Sequence, residues 1–243
     1  MLTRTRAIVL SNRKHKENAA ILQLYTEEYG RCSYILYGVQ SKRNGKRQSF
    51  LQPFSTVVVE GEVRRGEELQ QIKEIKSDYP HTNLLFDPYK NIIALFLSEV
   101  LLKVLRTNEK DEPLFSFLHH SVRYLDLAEK GIANFHIAFL IRLTQFLGFF
   151  PALERDHYFE RHYYDLKQAH FTPVKPPHKY YLIPQEAAFL PQLTRISYNN
   201  MHQFRFNRQE RIELIEKILS YYKIHLQEFG EIKAISVLKE VFD

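Results

Sequence analysis

The stretch Ser41-Lys42-Arg43-Asn44-Gly45-Lys46-Arg47 has the residue types and spacing to bind phosphate. Asn-Gly is the strongest short signal for a hairpin tip. Two basic pairs flank it, so four cations would project together beyond the strands that carry them. No Asp or Glu occurs from Tyr29 through Val59, so nothing nearby in the chain neutralises them. Tyr25, Tyr29, Tyr34 and Tyr37 are interleaved with the basic residues. Cations beside aromatic platforms hold single strands of nucleic acid through phosphate contacts and base stacking. A solvated loop, with the tyrosines half-buried in a sheet, is the alternative reading of the same residues.

Other chemistry finds less support. His157, His162, His170 and His178 are the histidines best placed to suggest a metal, but no carboxylate or cysteine completes a recognisable ligand set. His119 and His120 are adjacent, so on a helix they point about 100° apart and do not converge. Cys32 is the one cysteine, which excludes a disulfide framework and any multi-cysteine zinc site. It lies in a predicted strand and reads as a buried or half-buried structural thiol. There is no phosphate-binding glycine loop, no nucleophile elbow and no pair of acids spaced for two-metal work. No catalytic residue, metal ligand or cofactor is assigned, and a binding protein is expected rather than an enzyme.

The charge is unevenly distributed. The 243 residues carry a net +6, but residues 1 to 59 hold ten basic side chains against Glu17, Glu27 and Glu28, which makes that segment +7. The other 184 residues have 24 basic and 25 acidic side chains, or −1. One quarter of the chain therefore holds the whole excess and points to an anionic partner. The most apolar segment, Ile92 to Leu105, is broken by Glu99 and Lys103 and is too short to span a bilayer. The short apolar run Ala7 to Leu10, between basic residues, is no secretory signal. No membrane partner and a cytoplasmic, nucleoid-associated location are expected.

The basic quarter reads as β structure. Thr5–Ser11, Ala19–Thr26, Ser33–Val39, Phe54–Glu60 and Leu69–Ile75 are short β-branched or apolar runs with turn signals between them. Five such strands suggest a small closed barrel of the OB type, although an SH3-like barrel or an open meander fits the count nearly as well. Beyond Pro80 the period changes to helical. Asp87-Pro88 caps a helix to about Arg106 that is apolar nearly all round. Asp111 and Pro113 open another, with Leu114, Leu118, Val122 and Leu125 on one face. A third runs from Asn134 to Leu147, with Phe135, Phe139, Leu143 and Phe146 inward. Residues 150–206 are proline- and tyrosine-rich without a sustained period and read as hairpins and loops. Arg208 to Phe229 is amphipathic, and Ile232 to Phe242 forms a short last helix. The expected fold class is α+β: a nucleic-acid-binding barrel in residues 1–80, then a mostly helical domain in residues 81–243 with an irregular insert.

Tyr25-Thr26-Glu27, Gly30-Arg31, Gly38, Ser41-Lys42-Arg43 and Leu51-Gln52-Pro53-Phe54 resemble the N-terminal signature of the bacterial recombination mediator family RecO. Further along, Ser98-Glu99-Val100-Leu101-Leu102 resembles that family's first long helix. Phe146-Leu147-Gly148 through Pro151-Ala152-Leu153 resembles its helix-ending turn, and Phe229-Gly230 with Ile232-Lys233 its C-terminal helical start. The resemblance covers the whole chain and is most specific in the first 55 residues. It implies an OB domain followed by a helical domain, and binding and annealing of single- and double-stranded DNA. It also implies contact with the acidic, phenylalanine-ended tail of the single-strand binding protein, and help, with RecR and often RecF, in loading the recombinase RecA. The DNA-contacting residues it implies are Arg4, Arg6, Lys14, Arg31, Lys42, Arg43, Lys46 and Arg47. For the acidic tail, the space between the Asn134 and Arg208 helices is expected, with Arg142 and Lys217 meeting its charge.

Two departures from the family pattern stand out. Many members carry a four-cysteine zinc module in the equivalent of residues 150 to 180, and this chain has no cysteine there. A zinc-free module packed by Tyr158, Phe159, Tyr163, Tyr164, Phe171, Tyr180 and Tyr181 is expected instead. The family also often places a cation just after the glycine at 38, where this chain has Val39-Gln40. An RNA- or nucleotide-processing enzyme that uses the barrel for substrate capture, or an adaptor whose basic loop binds an acidic protein, are the competing readings.

Overall fold

The structure is a computed structural model that describes residues 2–39, 50–62, 67–151, 153 and 161–241. Lys42, Arg43, Lys46 and Arg47, and with them the Asn-Gly tip, lie outside the described residues, as do Tyr158 and Phe159. Two compact units are present. Met1–Ile132 with Glu231–Asp243 make up one, and Ala133–Gly230 the other.

In the first unit β1 (Leu2–Lys16), β2 (Ala19–Thr26), β3 (Gly30–Tyr37), β4 (Thr56–Glu62) and β5 (Leu69–Ser77) close into a barrel of order β1-β2-β3-β5-β4. All pairs are antiparallel except β3 with β5, where Ser33, Tyr34 and Ile35 run parallel to Leu69, Gln70 and Gln71. That is the OB arrangement. An open meander would leave β4 beside β3, and β4 lies instead between β1 and β5.

The interior follows from period-2 alternation. Ala7 and Val9, Leu22 and Leu24, Tyr34 and Leu36, and Val57 and Val59 point inward together. β5 breaks the alternation, because Ile72 and Ile75 are both buried three residues apart. A register shift between Glu60 and Gly61 on the facing strand absorbs the odd step: Ile72 pairs with Gly61 but Glu74 with Glu60. A Cβ at Gly61 would lie 2.6 Å from the Gln71 carbonyl oxygen, so the close approach at this bulge needs glycine. β1 is buried on both faces, since Ile8 and Leu10 are as covered as Ala7 and Val9.

The expected helices form. α1 (Pro88–Val104) starts where the Asp87 carboxylate accepts from the N–H groups of Tyr89 and Lys90, and it buries residues nearly all round. α2 (Glu112–Leu127) is capped by Asp111 and buries Leu114, Leu118, Val122 and Leu125. The buried Asp126 carboxylate fixes the connection from the barrel, accepting from the N–H groups of Thr82 (3.1 Å), Asn83 (2.9 Å) and Leu84 (2.7 Å). Lys90 Nζ donates to the main-chain oxygen of the same residue at 2.7 Å.

α3 (Phe135–Phe146) and α6 (Arg208–His225) are the long helices of the second unit. α4 (Pro184–Ala187) and α5 (Leu190–Leu193) are short turns of helix. α6 stops four residues before the expected Phe229, because Leu226 leaves the helix with φ −122 and ψ 103. Phe229 is nonetheless buried, with its ring 5.4 Å from that of Tyr222. The insert forms a small sheet of β6 (Tyr163–Asp165), β7 (His170–Thr172) and β8 (Tyr181–Leu182), in the order β7-β6-β8. α7 (Ala234–Val241) belongs to the first unit; its opening N–H groups are capped by α1, where Glu99 accepts from Lys233 (2.9 Å) and Ala234 (2.7 Å).

Candidate nucleic-acid interface

The barrel sorts its cations to two ends. At one end β1 runs into the β1–β2 turn, and its last cations, Arg13, Lys14 and Lys16, are exposed and form no ion pair among the described residues. The described flanks of the basic stretch are held at this same end. The Gly38 N–H donates to the Asn18 carbonyl at 2.8 Å, and Asn12 Nδ2 donates to the Leu51 carbonyl at 3.4 Å. Lys14 is thus grouped with the start and finish of the segment that carries Lys42, Arg43, Lys46 and Arg47. Arg13 and Lys16 join the group; they were counted in the regional charge but not singled out, and a position next to a turn is too weak a signal to separate them from ordinary surface charge.

Arg4, Arg6 and Arg31 belong to the other end. Arg6 and Lys14 are eight residues apart on β1, roughly 25 Å at the usual rise of a strand. Arg4 is exposed opposite Glu60. Arg6 is committed to Glu27: its Nε donates to one carboxylate oxygen at 2.8 Å and Nη2 donates to the other, while the guanidinium lies 5.7 Å from the Phe115 ring centroid. The hydrogen bond to Glu27 raises the Arg6 pKa, and the Arg6 guanidinium correspondingly lowers that of Glu27. The antiparallel register explains the pair, since Ala7 faces Thr26 and Arg6, one residue before, therefore meets Glu27, one residue after.

Arg31 is a fastening rather than a free cation. Its Nη1 donates to the carbonyls of Leu102 (2.7 Å) and Leu105 (2.9 Å), which terminate α1 and carry the negative end of its dipole. Burial lowers its pKa. Its neighbour Gly30 has φ +60, and a Cβ there would lie 2.4 Å from the Glu109 carbonyl oxygen. Gly30-Arg31, one of the most recognisable pairs in the sequence, therefore serves the joint between barrel and helix.

The tyrosine platforms are fewer than expected. Tyr34 is an inward barrel residue and Tyr25 is buried beside Phe115 at 6.3 Å between rings. Burial raises the pKa of both. Tyr29 is half-buried, and Tyr37, 52% exposed and next to Gly38, is left as an open ring at the Lys14 end. Alternation along β3 separates Tyr34 from Tyr37: positions three apart on a strand face opposite ways. Cys32 is half-buried, and burial raises its thiol pKa.

In the second unit a cavity of about 970 Å³ is walled by Phe189, Phe204, Phe206, Tyr221, Leu214 and Ile218. Asn134 shapes one side, donating from Nδ2 to the carbonyls of Met201 (3.0 Å) and Phe204 (2.8 Å). Arg211 donates in turn to Asn134 Oδ1 (3.2 Å) and to the Phe206 carbonyl (2.9 Å). Lys217 lines the cavity, with its Nζ 2.5 Å from Glu186 Oε1. Arg195 and Arg205 also line it and make no ion pair among the described residues. Arg142 is exposed on α3 and is not part of the wall.

The described donors of the insert do not fit zinc; His157 lies outside the described residues. Among the described residues, no three of His, Cys, Asp and Glu come together around a point where a metal ion could sit. The Asp165 carboxylate is already used: it accepts from the N–H groups of Lys167 (2.8 Å) and Gln168 (3.1 Å) and lies 3.2 Å from His178 Nε2. Tyr164 packs edge-on to Phe171 at 5.0 Å, and Tyr163 edge-on to Tyr181 at 5.6 Å.

Comparison with known proteins divides the chain just after the barrel, ahead of the boundary between the two compact units. Residues 1–79 match the family described as "Recombination protein O N terminal", and residues 85–231 the family described as "Recombination protein O C terminal". Over the full length of both chains, the sequence is 41% identical to a "DNA repair protein RecO" of Bacteroides fragilis, 38% to one of Phocaeicola vulgatus and 33% to one of Porphyromonas gingivalis.

Proposed function

The chain belongs to the RecO family of DNA repair proteins, and from that premise we propose that it is a non-enzymatic recombination mediator that anneals complementary strands. The observation that carries this reading is the cation-rich end of the closed barrel. There Arg13, Lys14 and Lys16 stand beside the anchored flanks of the 40–49 segment, with Tyr37 open to solvent. Cations at this end hold the phosphates of single- and double-stranded DNA and screen the repulsion between two strands, so that complementary bases can pair. Arg4 adds a contact at the far end, while Arg6 and Arg31 act chiefly in structure.

In this proposal residues 1–80 are the DNA-binding domain and residues 81–243 dock partners. The aromatic cavity of the second unit suits the acidic, phenylalanine-ended tail of the single-strand binding protein. An aromatic end would enter among Phe189, Phe204 and Phe206, and its acids would meet Arg195, Arg205 and Lys217. RecR, and RecF where it takes part, complete the loading of RecA. The protein needs no metal or other cofactor.

The deciding experiment is annealing of labelled complementary strands coated with single-strand binding protein, with and without its acidic tail. Acceleration that depends on the tail is expected. Neutralising Lys42, Arg43, Lys46 and Arg47 together should flatten the salt dependence of DNA binding by about three units of log K per log[salt]. Cleavage or turnover of the strands in magnesium would favour an enzyme, and no DNA binding even at low salt would favour an adaptor.

A further inference from the structure

The small sheet of the insert carries a second basic and aromatic surface. From Arg161 to Gln185 the one acid is Asp165, and its carboxylate is engaged by two main-chain N–H groups and His178. The cations around it are therefore not neutralised locally. Lys167 and Lys179 lie 5.1 and 5.5 Å from the centroid of Tyr180, and Lys175 lies 5.6 Å from that of Tyr181. All three lysines are exposed, and none pairs with a carboxylate among the described residues.

Strand alternation separates the two faces of this sheet. Tyr164 and Leu182 are register partners and are buried, so they form the inner face. Tyr163 and Tyr181 lie on the other face, with Tyr180 37% exposed just ahead of β8. Tyr180 alternates to the side of Leu182, so the three ammonium groups rest against two neighbouring tyrosine rings along the β8 edge of the sheet rather than on one face.

We propose that this edge binds the phosphates and bases of a single DNA strand, distinct from the one held at the barrel. The proposal rests on the annealing reading above, which requires two strands on one protein. An ammonium resting on a ring is held in place without being neutralised, so it can turn to a phosphate while the ring it leaves receives a base. An acidic peptide would use the cations but not the Tyr180 ring; Tyr181 also lines the apolar cavity that suits such a peptide, so a labelled acidic peptide is the control ligand.

The test is a titration of the full chain with a labelled oligothymidylate of about 12 nucleotides, within the range of one OB-type site. Unaltered protein should take two oligonucleotides. The triple variant Lys167→Gln, Lys175→Gln, Lys179→Gln should take one, anneal about tenfold more slowly, and lose about two units of salt slope. The matching Lys→Arg triple should restore both. Two bound strands and an unchanged slope in the Gln variant would overturn the proposal, as would failure of the Arg variant to rescue. So would a Gln variant that keeps DNA but loses a labelled acidic peptide. A strand containing 5-bromodeoxyuridine provides a variant-free arm: photoadducts at Tyr180 or Tyr181 support the second site, and adducts confined to the barrel refute it. Neutralising Lys42, Arg43, Lys46 and Arg47 tests the barrel separately. If that change leaves binding intact while the sheet variant loses it, the barrel reading fails and the sheet stands.

Discussion

At the scale of single residues, the decisive distinction is between a cation that is available and one already in use. Arg31 and Lys14 look equivalent in the sequence, yet Arg31 spends its guanidinium on two helix-terminal carbonyls whereas Lys14 faces solvent. Arg31→Ala is expected to destabilise the protein by about 1–3 kcal/mol, read by urea denaturation, because two partly buried carbonyls lose a charged donor. Its salt slope for DNA should stay at the wild-type value. A different residue, His136, is expected to make stability sensitive to acid. It is fully buried in α3, and burial, with the nearby positive charge of Arg211, depresses its pKa from 6.5 to about 3. Between those values the unfolded chain binds a proton that the folded chain does not. Stability should therefore be complete above about pH 6.5 and fall by up to about 1.4 kcal/mol per pH unit below it. His136→Leu should flatten that limb in denaturation series from pH 7 to pH 4, and an unaltered limb would assign the acid sensitivity elsewhere.

At the scale of elements, the end of β1 that runs into the β1–β2 turn is the natural companion of the 40–49 segment. Replacing Arg13, Lys14 and Lys16 by Gln should reduce the salt slope for single-stranded DNA by about two units without changing the urea midpoint. The same substitutions at Arg4 and Arg6 should act differently, since Arg6 loses its ion pair with Glu27. Elements were the most legible level of this chain. Ala19–Thr26 runs as its composition indicates, and the Asp87-Pro88 and Asp111–Pro113 caps start their helices where expected, because caps and alternation are local properties. The site was less legible. Pairing of Arg6 with Glu27, burial of Tyr25 and Tyr34, and capture of Arg31 by α1 all depend on register and tertiary packing, which join residues distant in sequence. Arg195 and Arg205 were missed for the same reason: they sit in a segment without periodicity, and the aromatic wall beside them is braced from behind by hydrogen bonds from Asn134 and Arg211 to the Met201, Phe204 and Phe206 carbonyls.

At the scale of the whole molecule, charge and architecture divide the work differently. The charge excess ends near residue 59, whereas the compact unit that contains the barrel extends through α1 and α2 and takes in α7. Glu99 was read as an interruption of an apolar helix; in the fold it caps the two N–H groups that open α7. Glu99→Ala should weaken that attachment by about 1–2 kcal/mol. Hydrogen exchange would detect it as faster exchange in residues 234–241 with the slowest barrel amides little changed.

The return of Glu231–Asp243 to the unit begun by Met1–Ile132 also orders events in time. During translation the strands and helices of the first unit leave the ribosome early, but α7 follows only after the 133–230 segment has been made. The second unit can close on itself while the first still exposes the apolar flank of α1 that α7 will cover. A pause or premature stop within residues 133–230 would therefore strand a nearly finished, sticky barrel unit. Chaperone engagement on nascent chains should be longest in that window.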